Sequence, residues 1–277
     1  MNVIAGLPGK LQWDLGLMEG DELMRFLVLA FLMTVEARAA QDPMELPQRA
    51  HEALAQRDYS KAAGLTKKAN AIWNQEGANS PEYAESLVLC SLAMLAEKRW
   101  DGGAQRSKEE WFTVWEKDAG DLLERALAIS AIKPDVQALA LELESLQPKN
   151  KDKSTMLRIQ AMDIHTKLVE GILPGRVVSD SLPPKNIGEV QPPTLIHRVE
   201  PSYSAEAIIL LITGGVQLNV IVEPDGTAST AKVLKPLGWG LDEEAAKCLK
   251  GWRFNSGTIG GTPVRVQVTI EISFRLI

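Results

Sequence analysis

The side chains of this chain that could bind metal or activate a nucleophile are scattered. His51, His165 and His197 stand far apart, with no second ligand at a spacing that closes a zinc or iron site, and are expected on the surface or in helix packing. No nucleophile, base and orienting acid share a recognisable local motif. Gly238-x-Gly240 lacks the third glycine of a dinucleotide loop, and Glu243 and Glu244 follow where phosphates would need positive charge, so the stretch reads as a strand-to-helix turn. Gly102-Gly103 ahead of Lys108 also lacks phosphate-loop spacing. These residues point to no enzyme, no cofactor and no metal. The chemistry that remains is that of the backbone, because the unpaired amides and carbonyls of a sheet edge can take up an extended peptide as one more strand.

The residues for such an edge stand at the end of the chain. From Pro263 onward Val264, Val266, Val268, Ile270, Ile272, Phe274 and Leu276 alternate with polar residues, so one long strand is expected with a core face and an exposed edge. The candidate edge comprises Val264, Arg265, Val266, Gln267, Val268, Thr269, Ile270, Glu271, Ile272, Ser273 and Phe274. On its polar face Arg265, Glu271 and Arg275 have two open roles, orienting a partner or discouraging unwanted edge pairing.

That strand needs a sheet to belong to. A short helix near Ala205 to Ile212 precedes a strand from Gly215 to Val222, with Val216, Leu218, Val220 and Val222 inward. Pro224-Asp225-Gly226 supplies tight-turn chemistry, and Ala228 to Leu234 returns as the second strand of a hairpin. Gly240 to Ala245 opens a helix for which Asp242 is the expected cap, and Gly251 stops it. Trp252 and Phe254 are expected in the core. The result is a two-layer α+β domain, a three-stranded antiparallel sheet with a helix on one face.

The ordered set Glu200-Pro201-Ser202-Tyr203, Gly215-Val216, Pro224-Asp225-Gly226, Gly240-Leu241-Asp242-Glu243-Glu244-Ala245, Trp252-Arg253-Phe254, Gly261-Thr262-Pro263-Val264 and Phe274-Arg275-Leu276 resembles the TonB C-terminal domain family, over about residues 190 to 277. The resemblance implies a periplasmic domain that pairs through its last strand with a short segment of an outer-membrane transport receptor. It also implies Pro201 and Tyr203 as accessory contacts. The family's tyrosine is commonly followed by proline, where this chain has Ser204.

Residues 41 to 170 differ in character. They are rich in Ala, Leu, Glu and Lys with apolar residues at helical spacing, as in Leu87, Cys90 and Met94, and should form paired helices. Asp58-Tyr59-Ser60-Lys61-Ala62 returns as Arg99-Trp100-Asp101-Gly102-Gly103-Ala104, with Ala62 and Ala104 42 residues apart. Pro81 and Pro134 each stand just inside a helix start. This stretch resembles degenerate tetratricopeptide repeats of the kinesin-light-chain type, with Glu124 to Ile129 in the second helix of a unit and an insertion around Lys117 to Leu122. Trp73, Trp100, Trp111 and Trp115 either line a groove or fill the space between helices, and the filling role is preferred. Residues 171 to 202 carry Pro174, Pro183, Pro184, Pro192, Pro193 and Pro201 and read as a linker whose second half packs on the domain that follows, residues 203 to 277.

Residues 1 to 40 hold an upstream extension and a secretory signal. Met24-Arg25, an apolar run from Phe26 to Val35, and an Ala-x-Ala site, Ala37 to Ala39, for cleavage after Ala39 supply its parts, so that residues 1 to 23 would precede the true start. The run falls short of the ~20 residues that span a bilayer, so export is expected, with membrane association only if the segment is retained. Across all 277 residues the net charge is −6 with no basic run, which argues against nucleic acid as a partner. Cys90 and Cys248 are expected as buried free thiols.

The expected function is thus that of an envelope protein that binds an extended peptide by strand addition, the partner being the TonB-box-like segment of an outer-membrane receptor or another envelope protein. Two alternatives stand beside it. One is a membrane-anchored energy transducer; the other is a repeat scaffold whose C-terminal domain forms a homodimer.

Overall fold

A computed structural model describes residues 42–76, 79–100, 108–173 and 190–276. The expected signal segment, Ala104 of the repeat and the first half of the Pro-rich stretch lie outside these residues. Among the described residues, six α-helices form the N-terminal half: Leu46–Ala55 (α1), Tyr59–Glu76 (α2), Pro81–Trp100 (α3), Lys108–Leu127 (α4), Pro134–Leu146 (α5) and Ser154–Ile172 (α6). Their starts follow local chemistry. Asp58 Oδ1 accepts from Lys61 N to open α2, Ser80 Oγ accepts from Tyr83 N to open α3, and Pro81 and Pro134 take the first positions of α3 and α5.

Each helix packs on the next, and α3 also touches α1 and α5. That central place explains why its residues from Leu87 to Ala96 are buried almost without a break, on every side of the helix. Trp115 of α4 is fully buried and donates from Nε1 to Ser91 O at 2.8 Å, and Trp73 is buried against Tyr83. Both tryptophans fill space between helices; Trp100 and Trp111 lie outside the described side chains. Glu85 of α3 receives His51 of α1 and Lys133 at the head of α5, and hydrogen bonds from these two outweigh burial and lower its carboxyl to about 2.

Two parts of the expected repeat can be placed. Lys117 to Leu122, expected as an insertion, lie within the continuous helix α4. Of the two copies of the aromatic motif, Tyr59 is the first residue of α2 and Trp100 is the last described residue of α3.

The C-terminal half has the expected α+β character. Its principal sheet contains β3 (Gly214–Val222), β4 (Ala228–Lys235) and β8 (Val266–Phe274), antiparallel in the order β4-β3-β8. Helix α8 (Leu241–Gly251) lays Leu241, Ala245, Ala246 and Leu249 over the apolar face formed by Val216, Leu218, Val220 and Val222, all fully buried. A short helix α7 (Ala205–Leu210) is capped by Ser204, whose Oγ accepts from Ala207 N and donates to Trp239 O. The residue that departs from the family pattern therefore has a local structural task.

Three details differ from the sequence-based expectation. Gly240, with φ +71°, is the N-cap of α8; Asp242 lies inside the helix, where its carboxylate accepts from Leu237 N and Gly238 N at 2.9 Å each and ties down the incoming loop. Burial raises the Asp242 carboxyl, opposed by these two amides. The linker is shorter than expected at both ends: α6 runs through Ile172, and β1 (Val190–Gln191) and β2 (Thr194–His197) pair with β6 (Gly257–Ile259) and β5 (Arg253–Asn255). The last strand is broken at Arg265, because β7 (Thr262–Val264) turns back on β6 before β8 begins.

The two halves share one apolar core. Helix α6 packs on α8 and β4, and α1 touches α7. Arg99 Nη1 donates to Ile209 O at 2.7 Å across the junction.

Candidate peptide-binding edge

In the principal sheet β3 is central, and among the described residues no strand pairs with the outer side of β8. The direction of its backbone groups follows from one bond on the far side of the sheet. Ala231 of β4 donates its N–H to Leu173 O at 3.3 Å, so Ala231 points away from β3. Its partner Val220 must then direct its own N–H and C=O toward β8, where it faces Val268. Alternation along the strand turns Val266, Val268, Ile270, Ile272 and Phe274 toward β3. It leaves the backbone groups of Gln267, Thr269, Glu271 and Ser273 on the outer edge.

Side chains sort the same way by face. Gln267, Thr269, Glu271 and Ser273 are exposed, Ile272 and Phe274 are buried, and Val266, Val268 and Ile270 are half-buried. The edge therefore offers four outward residues with an apolar shelf beneath its first half. Glu271 is held along the sheet by Gln217, whose Nε2 donates to Oε2 at 3.1 Å, and Gly215 leaves room for that carboxylate.

The remaining candidates are placed differently. Val264 belongs to β7 and faces Gly257, so it is not on the outer edge of β8. Arg265 turns inward, its Nη2 2.9 Å from Glu223 Oε1 at the hairpin turn, with only 15% of its side chain exposed. Tyr203 packs edge-on against Phe274 with ring centroids 5.4 Å apart and donates to Ile212 O at 3.3 Å, bracing the end of β8. Pro201 is half-buried just before it. Gly226 makes the hairpin turn at φ +79°, with its carbonyl accepting from Phe254 N at 2.9 Å.

One cluster escaped sequence reading. His165 of α6 is buried, with Nε2 3.2 Å from Glu142 Oε1 of α5 and Nδ1 2.7 Å from Glu243 Oε1 of α8. Burial pulls the imidazole down, but hydrogen bonds and charge from the two carboxylates outweigh it and raise it to about 10. Glu142 Oε1 also accepts from Trp239 N at 2.8 Å. The partners are 23 and 78 residues from His165, and no local spacing marks them. A cavity of ≈170 Å³ opens beside this cluster. Among the described residues no group of three or more His, Cys, Asp or Glu side chains is arranged to hold a metal ion. Cys90 and Cys248 are buried and free, one in each half.

Residues 199–276 match the family model described as Gram-negative bacterial TonB protein C-terminal. Protein TonB of Klebsiella pneumoniae is 35% identical over 82 residues, which make up 29% of this chain and 32% of that relative. The chain thus spans less than a third of the curated relative's length. The match covers the principal sheet and α8 and begins after the helical half. The C-terminal portion of this chain, residues 199–276, is a TonB C-terminal domain.

Proposed function

We propose that this chain is a non-enzymatic interaction protein of the cell envelope, whose TonB C-terminal domain takes up an extended segment of an outer-membrane transport receptor, or of another envelope partner, along the outer edge of β8. The observation that carries this reading is the row of outward backbone groups at Gln267, Thr269, Glu271 and Ser273, on a strand with no partner on that side among the described residues. Val266, Val268 and Ile270, half-buried beside that row, supply apolar surface for alternate side chains of the incoming strand. The helical half serves as the attached scaffold. Among the described residues no helix is long and apolar enough to cross a membrane.

Labelled peptides carrying a TonB-box-like receptor segment, titrated into the whole chain by fluorescence anisotropy, should bind saturably. Thr269→Pro deletes an outward donor and should weaken binding at least ~10-fold, since proline is tolerated where an edge N–H faces solvent. Absence of saturable binding across such peptides would sink the proposal. Sequencing the mature N-terminus addresses force transmission: a chain beginning near Ala40 excludes the anchored reading.

A further inference from the structure

The second edge of the principal sheet is treated differently from the first. On the outer side of β4, the amide of Ala231 is taken by the carbonyl of Leu173, the residue that follows α6, and the Leu173 side chain is itself buried. The same helix carries His165, which joins Glu142 of α5 to Glu243 of α8. Glu142 also holds the amide of Trp239 in the loop leading to α8. Helix α6 thus reaches the TonB domain at two places, through an imidazole bridge to α8 and through a backbone bond to the edge of β4.

We propose that α6 is a guard for the outer edge of β4, held in register by the Glu142–His165–Glu243 bridge, so that β8 is the edge left for strand addition. The physical reason is that α6 packs extensively on α5, and an apolar contact of this kind does not choose one register over another as directional bonds do. The bridge supplies those directions across the junction. Two of its components are buried, the side chains of Glu142 and His165 being 5% and 4% exposed, and that of Glu243 is 12% exposed. Removing His165 leaves both carboxylates without a counter-charge in a poorly solvated place, and removing either carboxylate leaves the imidazole tied to one side only. Around the imidazole stand Glu142 and Asp135 from α5, Glu206 from α7, and Glu243, Glu244 and Lys247 from α8, all lining the same cavity. Asp242 of α8 is also close enough to feel its charge. Carboxylates outnumber cations there, so a neutral residue at position 165 exposes the junction to repulsion between the two halves. The guard role stands whether or not β8 takes a peptide.

Amide hydrogen exchange on the whole chain tests this directly. His165→Gln and Glu243→Gln each remove one charge of the bridge at nearly constant volume. Exchange at Ala231 should accelerate at least ~10-fold in both, while Leu218 in the central strand keeps its protection, because only the edge has been released. Unchanged exchange at Ala231 overturns the proposal. Equal acceleration at Leu218 and Ala231 overturns it too, since the bridge would then serve the global fold. Should His165→Gln fail to fold, Glu243→Gln decides alone.

Discussion

His165 is the residue with the clearest linkage to solution conditions. Its imidazole has an ordinary value of 6.5 and stands at about 10 in the folded chain, so the folded state holds the proton more tightly than the unfolded one. The stabilisation is therefore fully present below about pH 6.5. It falls as pH rises through 10. Urea unfolding followed between pH 6.5 and pH 10 should show that decline, and His165→Gln should remove it while lowering stability at pH 7. Glu85 carries the opposite sign: its carboxyl is lowered from 4.5 to about 2, so its contribution is present above 4.5 and is lost as the medium is acidified toward 2. Neither coupling is visible in local spacing, because each partner lies on a different helix.

Strand β8 shows how one element divides its labour. Side chains alternate between core and solvent, while backbone groups alternate between β3 and the outer edge. Proline substitutions separate these roles. Val268→Pro removes a donor to β3 and should cost roughly 1–3 kcal/mol in urea unfolding, the range for a buried hydrogen bond left broken. Thr269→Pro should change stability by less than about 1 kcal/mol yet impair peptide uptake, because its amide points outward. Equal losses from both would mean that the register of outward groups is wrong. The alternation of valines and isoleucines was legible because a half-buried strand must repeat every second residue. The break at Arg265 was not, since the apolar pattern continues across it and the residue that draws Arg265 inward, Glu223, lies 42 positions away.

The two halves of the molecule are joined where polar groups meet a shared apolar core. Gly238 sits at that junction with φ +78°, and a Cβ there would run into Glu142 Oε1. Gly261 has a similar φ of +83° but open space around it. Replacing each with alanine separates backbone strain from the junction: both should lose ~1 kcal/mol or more from the left-handed conformation. Gly238→Ala should lose at least about 1 kcal/mol beyond Gly261→Ala, as the clash displaces a buried carboxylate. Equal losses in denaturant would show that Glu142 yields at no cost.

The hairpin, the helix over the sheet and the alternating last strand are all legible in the sequence, because turn chemistry and side-chain periodicity act between near neighbours. Their order along the chain is enough to indicate a TonB C-terminal domain. Helical content upstream is legible for the same reason. Folding in three dimensions decided that β3 is central, that α6 packs on β4, and that, among the described residues, the backbone groups turned to the outer side of β8 are those of Gln267, Thr269, Glu271 and Ser273. It also brought His165 to its two carboxylates. Those outcomes depend on contacts between distant residues, where burial and charge act through space and leave no fixed interval in the amino-acid order.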